Sequence, residues 1–398
     1  MPTGPIGYLV PEFPGQTHAF FWREVAAIEE AGTPVRIYST KRPGREACPH
    51  AFAAEAMRRT TYVFPPRAGA SLSGMLLHPI RTMRAIRYLA RLTETPVRER
   101  LKLMGLVASA ATLVADARRA GVRHLHVHSC ANAAHLGALS RILGDLPYSL
   151  TLHGDLSVYG ANHAAKMRGA SFVAAVTRHL ALQIKAVSPA TEAPVIWMGV
   201  DCTRFLPRDR PMNPIFTVAS VARLNRAKGH RFFLQAMALL RDEGLSLRYL
   251  IAGSGPEEAA IQAEVARLGL QDQVQMLGAM DETRVLELLG QVDALALTSI
   301  GKGEAAPVAV MEAMSCGLPV ICSIIGGTPD MITDGVDGFL VEQEDVAAIA
   351  NRLKRLIKDR RLASQLGQAA RAKALSHFDH RTNAAKLVKQ IGARSPSE

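Results

Sequence analysis

The chain has 398 residues, of which 48% are hydrophobic and 21% charged, so we expect about two folded domains and no extensive disorder. Its five cysteines are scattered and odd in number, which argues against a disulfide framework and predicts a reducing, cytoplasmic environment. No apolar run reaches the ~20 residues of a membrane-spanning helix, and the first residues lack the pattern of a signal peptide.

The positive charge is concentrated in the first half of the chain. The formal net charge is +12, and residues 1–207 carry 24 Lys and Arg against 13 Asp and Glu, which is +11. Such an imbalance is typical of a surface for an anionic partner, such as nucleic acid, phospholipid or a phosphorylated substrate.

Short apolar runs alternate with helical patterns through the first half. A helix is predicted at residues 17–31, and strands are predicted at residues 6–10, 35–40, 125–128, 148–153 and 172–176. This alternation predicts a parallel, doubly wound sheet. Residues 71–121 have a helical pattern without a strand, so we expect a helical insertion there.

Prolines among charged residues at 205–214 predict a linker. A second alternation follows, with strands predicted at residues 215–221, 246–252, 274–277, 294–297 and 320–323. The expected fold class is therefore α/β, with two Rossmann-like doubly wound domains facing across a cleft. The predicted boundaries are 1–207 and 208–375, followed by a C-terminal helix at 376–398 that is free to cross back to the first domain.

Two glutamates stand eight positions apart where a strand leads into a helix. Glu304 lies in the loop after the strand at 294–297, and Glu312 lies inside the following helix. The free N–H groups at the start of such a helix suit a phosphate. A carboxylate in the helix can accept hydrogen bonds from a ribose diol, and a carboxylate in the loop can hold sugar hydroxyls.

The segment GEAAPVAVMEAMSCGLPVI, residues 303–321, resembles the E-x7-E signature of the retaining glycosyltransferases of family 4. The segment SVARLNRAKGH, residues 220–230, resembles the phosphate-binding R-x4-K segment of that family and places Arg223 and Lys228. Further family segments are matched in the same order by IAGSGPE, VQMLGAM, GGTPD and DGVDGFLV, which start at residues 251, 274, 326 and 334.

The first half is similar to a bacterial exopolysaccharide subgroup of this family. The match covers YLVPEFPGQTHAFFWRE, residues 8–24, and implies that the loop at Gly15 and Gln16 lies near the donor or the acceptor. The segment SLTLHGDL, residues 149–156, resembles the motif whose histidine reaches the donor sugar. The resemblance thus implies a catalytic role for His153.

The resemblance implies a GT-B arrangement, with the acceptor on the first domain and the nucleotide-sugar donor on the second. It implies retention at the anomeric carbon, with Glu304 as a catalytic residue and Glu312 on the nucleotide ribose. It also implies that Gly278 and Ala279 lie near the nucleobase, and that the donor diphosphate is bound by Arg223, Lys228, Ala306, Pro307 and Val308.

We expect neither a cofactor nor a metal. The chain has no DxD pair, and Arg223 and Lys228 can neutralise a diphosphate in place of a cation. His124, His126 and His128 alternate at strand period, but no convincing further ligand follows them, so packing in a sheet is favoured over a metal site.

The predicted function is hexosyl transfer from a nucleoside-diphosphate sugar to a saccharide or lipid-linked saccharide in polysaccharide biosynthesis. Two alternatives remain open. One is a nucleotide-sugar 2-epimerase on the same fold. The other is a non-enzymatic protein that binds an anionic polymer, although nucleic acid is disfavoured because no aromatic-and-basic RNA signature or recognition-helix pattern is present.

An anionic membrane surface is a further predicted partner of the basic first half. Arg81, Arg84, Arg87 and Arg91 are spaced three, three and four residues apart, which predicts one face of a helix with apolar flanks. The face is either solvated or docked on the membrane. In the second case the protein would be cytoplasmic and peripheral at the inner face of the cell membrane.

Overall fold

The computed structural model describes residues 4–15, 18–44, 48, 50–209, 213–302 and 304–393. The chain divides into two compact units, Met1–Trp197 with Arg381–Glu398, and Met198–His380. Within the described residues, no helix is long and apolar enough to cross a bilayer.

The first unit contains a six-stranded parallel sheet. Its strands are β1 (Ile6–Glu12), β2 (Val35–Lys41), β3 (Thr61–Tyr62), β4 (His124–Val127), β5 (Tyr148–Leu152) and β6 (Val173–Ala175). The order is β3-β2-β1-β4-β5-β6, and β4, β5 and β6 are buried along their whole length, as expected for a parallel sheet covered on both faces. The two-residue β3 was not predicted, because so short a strand has no period in the sequence.

Helices connect these strands. They are α1 (Ala19–Glu30), α2 (Ala53–Arg59), α3 (Ala68–Leu77), α4 (Pro79–Ala90), α5 (Val97–Leu103), α6 (Gly105–Arg119), α7 (Asn132–Gly144), α8 (His163–Met167) and α9 (Arg178–Val187). Helices α3 to α6 fill the predicted strand-free insertion, and α6 packs between α3 and α7. The first helix begins at Ala19, and the predicted start at Thr17 lies outside the described residues.

The second unit repeats the architecture with its own parallel sheet. Its strands are β7 (Phe216–Val221), β8 (Leu247–Ala252), β9 (Val274–Gly278), β10 (Ala294–Leu297), β11 (Val320–Ser323) and β12 (Phe339–Val341). The order is β12-β11-β10-β7-β8-β9. The predicted class of two doubly wound Rossmann-like units is confirmed.

The helices of the second unit alternate with these strands. They are α10 (His230–Asp242), α11 (Glu258–Arg267), α12 (Glu282–Leu289), α13 (Val308–Ser315), α14 (Thr328–Met331), α15 (Val346–Lys358) and α16 (Arg360–Lys373). A π-helical turn at Ala374–Phe378 leads to α17 (His380–Gly392). Residues Ala384, Leu387, Val388 and Ile391 of α17 belong to the same buried cluster as α1 and β1, in the first unit.

The division between the units falls ten residues before the predicted boundary at 207. The segment 198–207 is held by the second unit, because the Arg371 guanidinium donates to the carbonyl oxygens of Cys202 and Phe205, both at 2.9 Å. The Phe205 side chain is fully buried. The segment is therefore anchored to the second unit up to Phe205, and residues 210–212 of the proline cluster lie outside the described residues.

Candidate functional site

The strand order of the second unit reverses next to β7, because β8 pairs with one side of β7 and β10 with the other. The connections that leave β7 and β10 start in opposite directions, so a crevice forms at their carboxyl ends. The two segments that follow these strands contain the predicted Arg223, Lys228 and Glu304.

The turn between β7 and α10 touches the loop after β10. Gly229 has φ of +64°, and a Cβ atom at this position would lie 2.0 Å from the carbonyl oxygen of Thr298. The N–H of Ile300 donates to the carbonyl of Ala227 at 2.7 Å, and the Thr298 hydroxyl donates to the carbonyl of Gly229 at 3.2 Å. Glycine at 229 therefore permits the two backbones to approach this closely.

Lys228 and Glu304 form an ion pair across this contact. Lys228 Nζ donates to Glu304 Oε1, and the Ser299 hydroxyl donates to the same oxygen at 3.2 Å. The Lys228 and Glu304 side chains are 19% and 14% exposed. Most of the pair is removed from water, but a part of each side chain remains accessible to a ligand.

The charge around Lys228 is unbalanced. Burial and, to a smaller extent, the neighbouring Arg223 guanidinium lower the pKa of Lys228 to about 8. Arg223 is exposed, and Glu304 supplies one negative charge against these two cations. An additional anion would stabilise the cluster, because opposite charges close together favour the charged form of each group.

A third segment fixes the backbone at Glu304. Gly326, after β11, has φ of +53°, and a Cβ atom there would lie 1.4 Å from the carbonyl oxygen of Glu304. The N–H of Gly327 donates to the carbonyl of Ala305 at 2.8 Å. Glu304 is thus positioned by the ends of three neighbouring strands rather than by its own loop alone.

Helix α13 begins at Val308, directly after Ala306 and Pro307. The N–H of Val310 turns back to the carbonyl of Pro307 at 3.1 Å, and among the described residues Val308 and Ala309 have no acceptor for their N–H groups. Free N–H groups at a helix start suit an anion. Pro307 has no N–H, so of the three predicted residues only Ala306 and Val308 can donate.

The other predicted donor residues lie on neighbouring elements of the second unit. Glu312 is buried inside α13 with 7% exposure. Gly278 ends β9 with φ of +70°, its carbonyl accepts the N–H of Gly253 at 2.8 Å, and Ala279 beside it is exposed. The roles of Glu312, Gly278 and Ala279 toward a nucleotide stay predictions.

The loop after β1 in the first unit contains the predicted Gly15 and Gln16. A Cβ atom on Gly15 would lie 2.7 Å from Nδ1 of His18, so the loop passes close to the His18 ring. Gln16 lies outside the described residues. The role of this loop toward donor or acceptor stays a prediction.

His153, directly after β5, is the end of a line of polar contacts in the first unit. Its Nε2 lies 3.0 Å from Nδ1 of His128, whose Nε2 lies 3.4 Å from Oε2 of Glu24. The Tyr8 hydroxyl donates to the same Glu24 oxygen at 2.5 Å. Tyr8, Glu24 and His128 are buried, whereas His153 is half-buried.

Burial shifts the pKa values along this line. It raises the pKa of Glu24 to about 7, and the hydrogen bond from Tyr8 opposes the increase. It lowers the pKa of His153 and holds that of His128 well below its usual range. Both rings are therefore neutral near pH 7, and each has one N–H group and one lone pair.

The other two alternating histidines are hydrogen-bonded within the sheet. Ser149 Oγ lies 2.7 Å from both His124 Nε2 and His126 Nδ1, and Thr151 Oγ1 lies 2.8 Å from His126 Nε2. With these hydrogen bonds, His124 and His126 act as packing residues of the sheet. In the part of the chain that the structure describes, no group of three or more His, Cys, Asp or Glu side chains could hold a metal ion.

Sequence analysis missed Glu24 and Ser299 as members of these sites. Glu24 had a detectable signal, because it lies on the buried face of α1 with Phe21, Val25 and Ile28. A carboxylate at helical spacing among apolar residues needs a buried partner. Ser299 had no such signal, since its bond to Glu304 follows from the course of the loop.

Comparison with known proteins finds sequence matches in the second unit. Residues 210–373 match the family model described as glycosyl transferases group 1. A protein of Escherichia coli named as a colanic acid biosynthesis glycosyltransferase, WcaL, is 35% identical over 171 residues, 42% of each chain. The amylovoran biosynthesis glycosyltransferase AmsK of Erwinia amylovora is 34% identical over 197 residues, 48% of each chain. The matches thus span less than half of these relatives.

Solved structures resemble the whole chain. HepE of Anabaena in complex with UDP and glucose covers 98% of this chain and 100% of its own, with a TM-score of 0.74 and 18% identity. Sucrose-phosphate synthase of Thermosynechococcus elongatus covers 98% and 100%, with a TM-score of 0.73 and 20% identity. At these identities the likeness establishes the fold, which is that of the GT-B glycosyltransferases.

We predict that Glu24→Gln stabilises the protein at high pH and not at low pH. The folded-state pKa of Glu24 is raised to about 7 from 4.5, so the native state favours the protonated form. The contribution of Glu24 to the free energy of unfolding of the wild type is fully present below about pH 4.5. As the pH rises through about 7, this contribution is lost, which lowers the free energy of unfolding by roughly 3 kcal/mol.

Thermal unfolding of both proteins from pH 5 to 8.5 measures this difference. The gap should widen with pH in favour of Glu24→Gln, because a neutral amide carries no buried charge. Glu55→Gln, at an exposed carboxylate of the same unit, is the control and should follow the wild type. A constant gap would show that Glu24 does not titrate in this range.

Proposed function

Because residues 210–373 form a domain of the glycosyl transferases group 1 family, we propose that the chain is a retaining hexosyltransferase. In this proposal it acts in the cytoplasm and moves a sugar from a nucleoside-diphosphate sugar to a saccharide or lipid-linked saccharide. The observation that carries the proposal is the Lys228–Glu304 ion pair at the reversal of strand order.

The names of the similar proteins support the donor and the biological process. HepE of Anabaena was solved with UDP and with UDP-glucose, which supports a nucleoside-diphosphate sugar as donor. WcaL and AmsK are named for colanic acid and amylovoran biosynthesis, which supports exopolysaccharide assembly as the process.

Binding of the donor would change the partners of the ion pair. A diphosphate would compete with Glu304 for Lys228, and the Glu304 carboxylate would then be available to sugar hydroxyls while Ser299 still donates to it. Arg223 lies on the same turn and adds a second cation. Negative charge grows on the diphosphate as it leaves, so both cations stabilise the transition state more than the bound donor.

The proposal includes transfer without a metal and retention at the anomeric carbon. Arg223, Lys228 and the free N–H groups at the start of α13 supply the positive charge that a cation would provide in another site. Retention rests on the resemblance of residues 303–321 to the family signature. Glu312 would bind the ribose, and Gly278 with Ala279 would lie near the base.

We predict that Glu304→Ala lowers transfer at least tenfold, a barrier change of about 1.4 kcal/mol or more, and leaves the fold intact. The carboxylate is the group proposed to hold the donor sugar. The assay measures sugar transfer to a soluble acceptor analogue in excess EDTA. Glu342→Ala, at an exposed loop carboxylate of the same unit, is the control and should keep full activity.

Two results of this assay would contradict the proposal. If Glu304→Ala keeps more than a tenth of wild-type turnover, Glu304 is not the group that holds the donor sugar. Turnover that is lost in EDTA and restored by magnesium would show a metal requirement. A parallel reaction without acceptor tests the 2-epimerase alternative, because an epimerase would convert the donor by itself.

We predict that Lys228→Met weakens binding of the free nucleoside diphosphate by about 10- to 100-fold. A charge-assisted hydrogen bond contributes roughly 1.5–3 kcal/mol, and methionine keeps the length of the side chain without its charge. Calorimetry with UDP in EDTA measures the change. Lys302→Met, an exposed lysine in the loop before Glu304, is the matched control, and equal affinities of both variants would exclude Lys228 from the diphosphate site.

An exposed apolar surface supports the peripheral membrane location in the proposal. Nine of the eighteen exposed large hydrophobic side chains in the described residues lie between 64 and 101. The side chains of this set that lie on α3 to α5 are Leu72, Leu76, Leu77, Ile80, Met83, Ile86, Val97 and Leu101. All of them except Ile86 are 59–76% exposed. Concentration in one segment is typical of an interaction site, whereas scattered apolar residues are ordinary.

The arginine face of α4 lacks Arg81, which the sequence predicted to be part of it. Arg81 turns away from it, because its guanidinium lies 2.5 Å from Asp145 and 3.3 Å from the carbonyl of Leu143. Arg84 and Arg87 are exposed beside Ile80 and Met83, and no ion pair involves either arginine within the described residues. Cations among exposed apolar side chains fit an anionic lipid surface.

We predict that the protein binds vesicles of phosphatidylglycerol and phosphatidylcholine more strongly than vesicles of phosphatidylcholine alone. Arg84→Glu with Arg87→Glu should lower binding to the anionic vesicles at least about 30-fold, because each arginine contributes roughly 1 kcal/mol. Leu76→Ser with Leu77→Ser should weaken binding to both. Co-sedimentation measures each variant.

Matched controls come from other exposed positions of the same unit. Leu182, which is 70% exposed on α9, and Arg118 on α6 lie outside the apolar surface. Leu182→Ser and Arg118→Glu should bind like the wild type. Binding that ignores lipid charge and salt, or variants that bind unchanged, would contradict docking through α3 to α5.

A further inference from the structure

One glutamine side chain joins the loop that contains Glu304 to the segment after β11. Gln343, in the turn after β12, accepts the N–H of Gly301 at its Oε1 atom at 2.7 Å. Its Nε2 donates to the carbonyl of Ile324 at 3.1 Å. A single amide therefore bridges two segments that both lie at the carboxyl edge of the second sheet, and we call it the Gln343 bridge.

We propose that Gln343 is a positioning residue for Glu304. The inference rests on the proposed function, in which the Glu304 carboxylate holds the donor sugar. Gln343 acts through the backbone of the loop, because both of its hydrogen bonds are made to backbone atoms. It lies outside all the segments whose sequence resembles the family motifs, the last of which ends at Val341.

The segment after β11 gives the bridge a fixed end. The Thr328 side chain is fully buried, and its hydroxyl donates to the carbonyl of Ser323 at 2.7 Å. The same hydroxyl accepts the N–H of Ile325 at 3.0 Å. Ile324, which accepts from Gln343, lies between these two bonded residues, so one end of the bridge is attached to a tightly hydrogen-bonded turn.

The turn between β12 and α15 fixes Gln343 itself. The N–H of Ile324 donates to the carbonyl of Val341 at 2.8 Å, so the parallel register of β11 and β12 brings Gln343 beside Ile324. Glu344 follows with φ of +65°, a left-handed conformation that is unfavourable for a residue with a Cβ atom. Such a conformation persists where the surroundings hold it, and here the Asp345 side chain caps the helix that follows.

The bridge lies between two other anchors of the loop. At the start of the loop, the N–H of Ile300 donates to the turn after β7 at 2.7 Å. Beyond Glu304, the carbonyl of Ala305 accepts an N–H from the segment after β11 at 2.8 Å. Between these anchors, the Gly301 N–H is held by Gln343, so loss of the amide would allow the loop to shift before Glu304 while both ends stay in place.

The bridge matters most when the donor is bound. In the free protein, Lys228 and Ser299 both contact the Glu304 carboxylate. A diphosphate that competes for Lys228 removes one of these contacts, so the position of the carboxylate then depends more on the backbone that Gln343 supports. A small displacement of a group that orients the substrate lowers the rate strongly. Affinity for the nucleotide should change little, because its proposed contacts are made by other residues.

Amide hydrogen exchange of the full-length protein tests the bridge without any substrate. Gln343→Met keeps the length of the side chain and lacks the amide that makes both hydrogen bonds. The Gly301 amide should exchange about fivefold faster than in the wild type, whereas peptides from β10 should be unchanged. Glu342→Ala, at the neighbouring exposed residue, is the control and should exchange like the wild type. Equal exchange at Gly301 in Gln343→Met and the wild type would overturn the bridge.

Kinetics then separate positioning from a merely structural role. At saturating donor, Gln343→Met should lower kcat about tenfold, while the affinity for UDP measured by calorimetry stays within about twofold of the wild type. Gln343→Glu can still accept the N–H of Gly301 but cannot donate to Ile324, so its kcat should lie between those of Gln343→Met and the wild type. A normal kcat in Gln343→Met, or a fall in UDP affinity as large as the fall in kcat, would overturn the positioning role.

A double variant distinguishes failure of this inference from failure of the proposed function. If Gln343 acts through Glu304, adding Gln343→Met to Glu304→Ala should cause no further loss of the residual transfer. A further tenfold loss would show that Gln343 acts by another route and would overturn the inference alone. Normal transfer by the single variant Glu304→Ala would overturn the role of Glu304 in the proposed function, and with it the role of Gln343.

Discussion

In the second unit, the backbone of the turn after β7 lies against the backbone of the loop after β10. This close contact determines the geometry of the candidate site. Gly229 lies against the Thr298 carbonyl, and Gly326 lies against that of Glu304. A side chain at either glycine would meet a backbone atom, which cannot move aside as a flexible side chain can. The Lys228–Glu304 pair exists because these contacts leave its two side chains facing each other across a distance they can bridge.

Much of this arrangement was readable in the sequence because the signals are local. Buried apolar runs and intervening helices predicted both sheets, and the motif resemblance singled out Lys228 and Glu304. Their pairing was not predicted, since the residues are 76 positions apart and meet only through the strand order β10-β7. The division between the units lies before the predicted boundary for a similar reason. Prolines indicate a break in regular structure, while the hydrogen bonds of Arg371 attach the segment to the second unit.

The face of α4 illustrates the limit of helical periodicity. Spacing placed Arg81 with Arg84 and Arg87, but a long side chain at the edge of a face can turn to a partner on another element, here Asp145 beyond α7. Glu24 is the converse case. Its position on the apolar face of α1 was visible, but its partners Tyr8 and His128 come from β1 and from the end of β4, which only the parallel register brings together.

Each unit keeps an ionisable carboxylate at the carboxyl edge of its sheet, but the two are stabilised differently. Glu304 is balanced by Lys228, so its charge is compensated before any ligand binds. Glu24 has a tyrosine hydroxyl and a neutral imidazole nearby, and neither cancels a charge. An apolar residue at this position of α1 would avoid the free-energy cost of burying a carboxylate. A carboxylate at this place, unlike an apolar side chain, can take up a proton near neutral pH, because burial raises its pKa to about 7.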